Sequence, residues 1–240
     1  MVLMIVAIVP SAGKGERFGS ELPKQFLELK NVPILIRTLL KFENSSLVDR
    51  IIVVAPLSWL EHTENLLRKY GLKKVEKVVA GGKTRQESVW RGVQQAPEKT
   101  KIFLVHDAVR PFFPETLIEK LITTLLVQKE EIHGVIPGVP VRDTLNLVEK
   151  GLVKKNVPRE GIYHVQTPQA IKGKILKLCL EKAQKANAVF SDESSLLLYH
   201  GFKVKMIEGS YLNLKITYKQ DLLLAEKLIE CKIENLLESL

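Results

Sequence analysis

Leu3-Met4-Ile5-Val6-Ala7-Ile8-Val9, followed at once by Pro10-Ser11-Ala12-Gly13-Lys14-Gly15-Glu16-Arg17-Phe18-Gly19, is the stretch that decides the fold. Seven apolar residues without polar alternation describe a strand buried on both faces, the habit of parallel sheets. The apolar run from Met1 to Val9 is too short to span a bilayer, and no basic region or small-residue cleavage site accompanies it. Small residues directly after a first parallel strand let backbone N–H groups approach phosphates. The spacing excludes two common phosphate motifs. A P-loop needs Gly, four residues, then Gly-Lys-Ser/Thr, yet the fifth residue after Gly13 is Phe18. A dinucleotide fingerprint needs a glycine three residues after Gly15, and Phe18 stands there too. The loop instead carries Lys14 and Arg17, and Lys24 follows in Leu22-Pro23-Lys24-Gln25-Phe26, so cations flank the glycines on both sides. A solvated turn with surface charges is the plainer reading of a glycine loop alone.

Outward from this loop, short apolar runs alternate with helical patterns. Strands are expected at 3–9, 50–55, 74–79, 102–105 and 133–137, and helices at 33–42, 58–69, 84–96 and 114–128. Thr84 and Glu87 have the spacing of a capping box. The alternation predicts an α/β, Rossmann-like fold: a mostly parallel sheet with helices on both faces. After Val139 the pattern breaks into β-like pieces at 144–148, 152–157 and 162–165, read as an extended β-arm inserted at about 139–166 of a single domain spanning 1–240. Helices return at 172–184 and 192–200, a strand at 203–207, and a last helix from residue 218.

The 240 residues carry 36 Lys+Arg against 27 Asp+Glu, a net charge of +9, and 45 % of them are hydrophobic. That composition belongs to a globular chain and excludes bulk disorder. Two cysteines, Cys179 and Cys231, make neither a disulfide framework nor a zinc spacing; both sit on apolar helical stretches and are expected in the core. The five histidines are scattered. A reduced, cytoplasmic setting fits. The charge favours an anionic partner. It is spread from end to end without an aromatic-interleaved stripe, so a small phosphorylated substrate is at least as good a reading as nucleic acid.

Asp107 ends the fourth predicted strand, where open α/β sheets place ligands. An aspartate there holds Mg²⁺ or a ribose hydroxyl, or caps the next segment. His106 reads as a packed or hydrogen-bonded histidine. Arg110 either reaches a phosphate or braces Asp107. In the strand-like Asn213-Leu214-Lys215-Ile216-Thr217, alternation aims Lys215 away from Leu214 and Ile216.

Ala12–Gly19 followed by Pro23-Lys24-Gln25 resembles the signature of the sugar-phosphate nucleotidyltransferases. The resemblance continues, in order, through Gly81-Gly82-Lys83-Thr84-Arg85-Gln86-Glu87-Ser88 and Val105-His106-Asp107-Ala108-Val109-Arg110-Pro111. It then runs through Pro140-Val141-Arg142-Asp143-Thr144, Thr167-Pro168-Gln169, Ser191-Asp192-Glu193 and Asn213–Thr217. Within that family the blocks most resemble the cytidylyltransferases that act on 2-C-methyl-D-erythritol 4-phosphate in the non-mevalonate isoprenoid route.

The resemblance implies transfer of CMP from CTP to a sugar-alcohol phosphate with release of pyrophosphate, assisted by Mg²⁺ or another divalent cation. It implies Arg17 and Lys24 as catalytic cations on the pentavalent transition state. Pro10, Ser11, Ala12, Gly13 and Gly15 would line the phosphates, and Gly81, Gly82 and Ser88 the cytosine and ribose. Lys83 stands where many members have an acidic residue. Asp107 would serve substrate and metal. Arg110, Thr144, Arg159, Thr167, Ser191 and Lys215 would serve the acceptor, with Ser191 in place of the usual threonine and retaining a hydroxyl able to cap a helix. In the family the arm crosses to a second subunit, so a homodimer is implied, with Thr144 and Arg159 serving either their own site or the partner's. No nucleic acid or membrane is expected as partner.

The nearest rival is a ribitol-5-phosphate cytidylyltransferase; Val141-Arg142-Asp143-Thr144 and Ser191-Asp192-Glu193 favour the methylerythritol enzyme. A nicotinamide-dependent dehydrogenase is disfavoured by the failed fingerprint. A basic nucleic-acid-binding module would bind with steep salt dependence and ignore CTP.

Overall fold

A computed structural model describes residues 3–13, 18–19, 22–127 and 131–231. β1 (Ile5–Pro10) leads to a 3-10 turn at Lys24–Phe26 and a minimal hairpin of β2 (Glu28–Leu29) and β3 (Val32–Pro33). Next come α1 (Ile34–Asn44), β4 (Arg50–Ala55), α2 (Leu60–Lys69), β5 (Val75–Ala80), α3 (Arg85–Gln95), β6 (Ile102–Val105), α4 (Thr116–Val127) and β7 (Gly134–Pro140). β8 (Leu145–Glu149), β9 (Leu152–Val157), β10 (Tyr163–Val165), β11 (Gln169–Lys172), α5 (Gly173–Lys185), α6 (Glu193–Tyr199), β12 (Val204–Glu208) and α7 (Lys219–Glu230) complete the described chain.

The main sheet runs β10-β7-β11-β6-β1-β4-β5, and β12 also pairs with β7. β5, β4, β1 and β6 are mutually parallel, β12 is parallel to β7, and β11 is antiparallel to both of its neighbours. Alternation along β1 sorts the core into two layers. Ile5, Ala7 and Val9 pack with Leu39 of α1, Leu67 of α2 and Leu121 of α4. Val6 and Ile8 pack with Val93 of α3, Leu180 of α5 and Leu197 of α6. The expected α/β sheet covered on both faces is what forms. α3 lies so close to the sheet that a Cβ on Gly92 would stand 2.8 Å from Ile8 Cγ2. The carboxyl ends of β1, β4, β5, β6 and β7 consequently share one edge, beside the turn joining β10 to β11.

Several expectations are corrected. β11 has no forerunner among the expected strands: four residues behind Pro168 offer too short a pattern to read. Only β8 and β9 form a separate arm sheet; residues 163–165 return to the main sheet as β10. Residues 213–217 form no ladder, although Ile216 is tied by its N–H to Val109 O at 2.9 Å and is fully buried. Thr84 caps α3 by accepting from Glu87 N, but the Glu87 carboxylate bonds Lys83 N instead of closing the box. Cys179 is buried as expected; Cys231 is exposed, because it sits at the C-cap of α7 beyond the packed turn.

Phe42 links core and site: fully buried, its ring lies 5.3 Å from that of His106 and 5.1 Å from that of Phe113. Phe42→Ala is expected to cost about 3–5 kcal/mol in urea unfolding. A cost below about 1 kcal/mol would mean that this layer collapses freely around the gap.

Candidate functional site

The loop after β1 is pinned from two sides. Ser11 donates through both N–H and hydroxyl to Val54 O, at 2.7 and 2.9 Å, which locks it to the end of β4. Buried Gln25 donates to Ser11 O at 2.5 Å, so the 3-10 turn that carries Lys24 is fastened to the same loop. The Phe26 ring stacks on Trp59 at 5.0 Å and secures the far end of that turn. On the other side, the turn after β5 presses against Ala12. A Cβ on Gly81 would lie 2.1 Å from Ala12 Cβ, so only glycine lets the two loops meet. Ser88 Oγ accepts from Gly82 N at 3.1 Å and donates to Thr84 O at 2.9 Å, holding that turn rigid.

Asp107 stands just past β6, 8 % exposed, with three cations around it. Lys215 Nζ reaches Oδ2 at 2.8 Å, Arg85 Nε reaches Oδ1 at 3.1 Å, and Arg110 Nε lies 3.4 Å from Oδ2. Burial pushes the carboxyl pKa up, but Arg85, Lys215 and Arg110 together outweigh it and hold the group well below the usual carboxylate range. Arg110 therefore braces Asp107, and its Nη1 also donates to Asn213 O at 2.8 Å. Arg85 gives Nη1 and Nη2 to the two oxygens of Glu193 at 2.7 and 3.0 Å. Three cations against two carboxylates leave one positive charge at the edge of the sheet.

His106 is wholly buried between Phe42 and Phe113. Its Nε2 faces Arg110 O at 3.0 Å, and a carbonyl only accepts, so Nε2 carries the proton. Nδ1 then accepts from Thr167 Oγ1 at 3.0 Å, while that hydroxyl oxygen accepts from Asp107 N at 3.1 Å. Desolvation, only partly offset by Asp107, lowers the His106 pKa to about 3. His106 is thus the hydrogen-bonded histidine expected.

Thr167, Arg110, Lys215 and Asp107 are brought together, and Ala12, Gly81, Gly82 and Ser88 form a second group next to Ser11; Pro10 ends β1 just before Ser11, and Gly13 follows Ala12. Arg17, Gly15 and Lys14 lie outside the described residues. Thr144 and Arg159 are exposed on the arm and share no hydrogen bond or ion pair with the Asp107 group; Arg159 donates instead to Arg142 O. Ser191 is exposed and does not cap α6; Asp192 does, accepting from Ser195 N at 2.9 Å, because its carboxylate fits the capping box that the serine was expected to serve. Arg85, Glu193, Gln25 and Asn213 were quoted in the sequence blocks without a role. A readable signal for Arg85 existed: a cation opening a helix opposes the macrodipole and needs a reason.

Among the described residues, no three His, Cys, Asp or Glu side chains gather as a metal cage. Both Asp107 oxygens already accept from cations. These residues suit a divalent ion that brings phosphate and water ligands with it, and not an all-protein site.

The neutral His106 has a sign in pH. Its folded pKa lies below the unfolded value of about 6.5, so the unfolded chain binds the extra proton between about pH 6.5 and 3, and stability falls as pH falls through that window. Relative to pH 7, wild type is expected to lose about 2 kcal/mol more at pH 4.5 than His106→Gln, measured by urea unfolding. Equal losses would contradict the buried, neutral assignment.

Comparison with known proteins gives one answer. The family model IspD, 2-C-methyl-D-erythritol 4-phosphate cytidylyltransferase, matches residues 5–231. A relative of that name from Clostridium botulinum (strain 657 / Type Ba4) is 39 % identical over 93 % of this chain and 96 % of its own. Another, from Halalkalibacterium halodurans, is 37 % identical over 92 % and 95 %. Among solved structures, 4-diphosphocytidyl-2C-methyl-D-erythritol synthase from Anaerococcus prevotii superposes with a TM-score of 0.80 at 28 % identity, covering 95 % of this chain and 96 % of that one. The Francisella tularensis 2-C-methyl-D-erythritol 4-phosphate cytidylyltransferase gives 0.80 at 30 % identity, covering 93 % and 99 %. The ribitol phosphate reading is not favoured by these matches. The chain belongs to the 2-C-methyl-D-erythritol 4-phosphate cytidylyltransferase family, enzymes that move CMP from CTP onto the acceptor phosphate in isoprenoid precursor synthesis.

Proposed function

We propose that CTP and 2-C-methyl-D-erythritol 4-phosphate meet at the carboxyl edge of the sheet, between the 11–13 loop, the 81–84 turn and Asp107. The observation that carries this reading is the convergence of Arg85, Arg110 and Lys215 on one buried carboxylate beside two close-packed glycine turns. An acceptor phosphate oxygen attacks the α-phosphorus in line; the new P–O bond forms as the bond to the β-phosphate oxygen breaks, and the electron pair leaves with pyrophosphate. Both partners are anions, so fixed cations, not a side-chain nucleophile, lower the barrier.

In this reading Lys24 and Arg17 offset the charge on the pentavalent phosphorus. Pro10, Ser11, Ala12, Gly13 and Gly15 line the phosphates, and Gly81, Gly82 and Ser88 the nucleoside. Arg110, Thr167, Ser191 and Lys215 receive the acceptor from the same chain. A divalent ion, Mg²⁺ by preference, arrives with the nucleotide; Asp107 would be its protein contact, and neutralisation of phosphate charge is what it would supply. The chain works as one nucleotidyltransferase domain in the cytoplasm, with its cysteines reduced. Among the described residues no helix is long and apolar enough to cross a membrane. The arm serves a second copy. Leu147, Val148, Leu152 and Val153 on β8 and β9 are each at least half exposed, an apolar hairpin that a partner would cover. Thr144 and Arg159 then act in the partner's site.

Pyrophosphate release is expected with Mg²⁺, CTP and 2-C-methyl-D-erythritol 4-phosphate, and not with ribitol 5-phosphate; the reverse would overturn the acceptor. Folded Lys24→Ala should lose roughly 10²–10³-fold in kcat. Near-normal turnover would remove Lys24 from the reaction.

Arm exchange has its own readout. Lys24→Ala and Arg159→Ala are each expected to be nearly inactive. After joint refolding, half the dimers are mixed and each mixed dimer has one intact site, so about a quarter of wild-type activity returns. No recovery would place Arg159 in the site of its own chain.

A further inference from the structure

Arg85 is the first residue of α3, at the end of the helix dipole that disfavours a cation. Two carboxylates hold it there. Its terminal nitrogens give a bidentate pair to Glu193, the first residue of α6 and 3 % exposed, at 2.7 and 3.0 Å. Its Nε gives the third bond, to Asp107 Oδ1 at 3.1 Å. A guanidinium whose fork is spent on a buried carboxylate does not offer that fork to a phosphate. What it does is fix one oxygen of Asp107, leaving Oδ2 to Lys215 at 2.8 Å and to Arg110 at 3.4 Å. The hydrogen bond from Arg85 Nε to Asp107 is thus the pair's link to the cleft carboxylate.

We propose that Arg85 and Glu193 are a positioning pair: Glu193 orients the guanidinium, and the guanidinium sets the rotation of the Asp107 carboxyl, so that Lys215 and Arg110 meet substrate oxygens at a defined place. This rests on the reading of the Asp107 cleft as the substrate site. The competing account is that the pair merely joins α3 to α6.

The two accounts part on one double variant. A buried ion pair that only joins elements is replaced by apolar residues of similar size at little or no cost, whereas breaking one partner is expensive. Glu193→Gln alone should lower Tm and reduce kcat/KM by roughly 10- to 100-fold. Arg85→Met with Glu193→Leu should return Tm to within about 3 °C of wild type. It should nevertheless leave kcat at least about tenfold down, with KM for CTP within roughly twofold. A double variant with recovered Tm and wild-type kcat overturns the proposal. If the double variant does not fold, Arg85→Lys decides: it keeps the charge and loses the fork, so a folded protein at least about tenfold slower supports positioning, and wild-type turnover refutes it. Asp107→Asn is run beside them. Its loss of activity is expected; normal turnover would instead bring down the reading of the Asp107 cleft, and this pair with it.

Discussion

A carboxylate taken out of water is tolerated only with its charge matched and its lone pairs filled. Asp107 is such a group, and meeting its needs organises much of the molecule. Arg85 comes from α3, Arg110 from the turn after β6, Lys215 from the extended segment before α7, and the hydroxyl of Thr167 from the turn before β11. Segments far apart in sequence are thereby drawn to one point. Each also needs the others: Arg110 holds Asn213 O, Asn213 Nδ2 holds Thr167 O at 2.9 Å, and His106 joins Thr167 to Arg110 O. A closed polar network of this kind fixes geometry better than any single pair within it.

The glycine side of the cleft is built on the opposite principle, closeness without side chains. Gly81 against Ala12 brings two backbone turns together, and Ser11 and Gln25 pin one of them. A preformed wall of backbone beside a preformed cluster of charge suits phosphoryl chemistry, which asks for placement and field more than for a reactive side chain.

Much of this was legible in the residues. Unbroken apolar runs such as 50–55 and 102–105 announce parallel strands because burial on both faces removes alternation. Asp107 was legible from its position at a strand end, and Lys215 from alternation, although its segment forms no strand. What stayed hidden was set by distant contacts. Four residues of β11 carry no period of their own, and their place between β6 and β7 is decided by the partners. Glu193 looks like an ordinary first-turn acid until Arg85 is seen across from it. Arg110 left two readings open because phosphate and carboxylate attract the same fork; the 3.4 Å approach to Asp107 shows the brace, and a brace through Nε is compatible with the phosphate contact proposed above. The nucleotide and acceptor were never a matter of periodicity and rested on motif resemblance alone.

The insertion of β11 between β6 and β7 has a consequence for biosynthesis. β7 leaves the ribosome ahead of the strand that joins it to β6, and β12, its other main partner, emerges later still. Residues 134–140, buried along almost their whole length in the finished fold, must therefore wait as an unpaired apolar strand while the arm is made, until β10 supplies a first partner at residues 138–140. Such a wait is when unfinished chains meet one another, so the order of synthesis, and not only the final contacts, bears on the yield of folded protein.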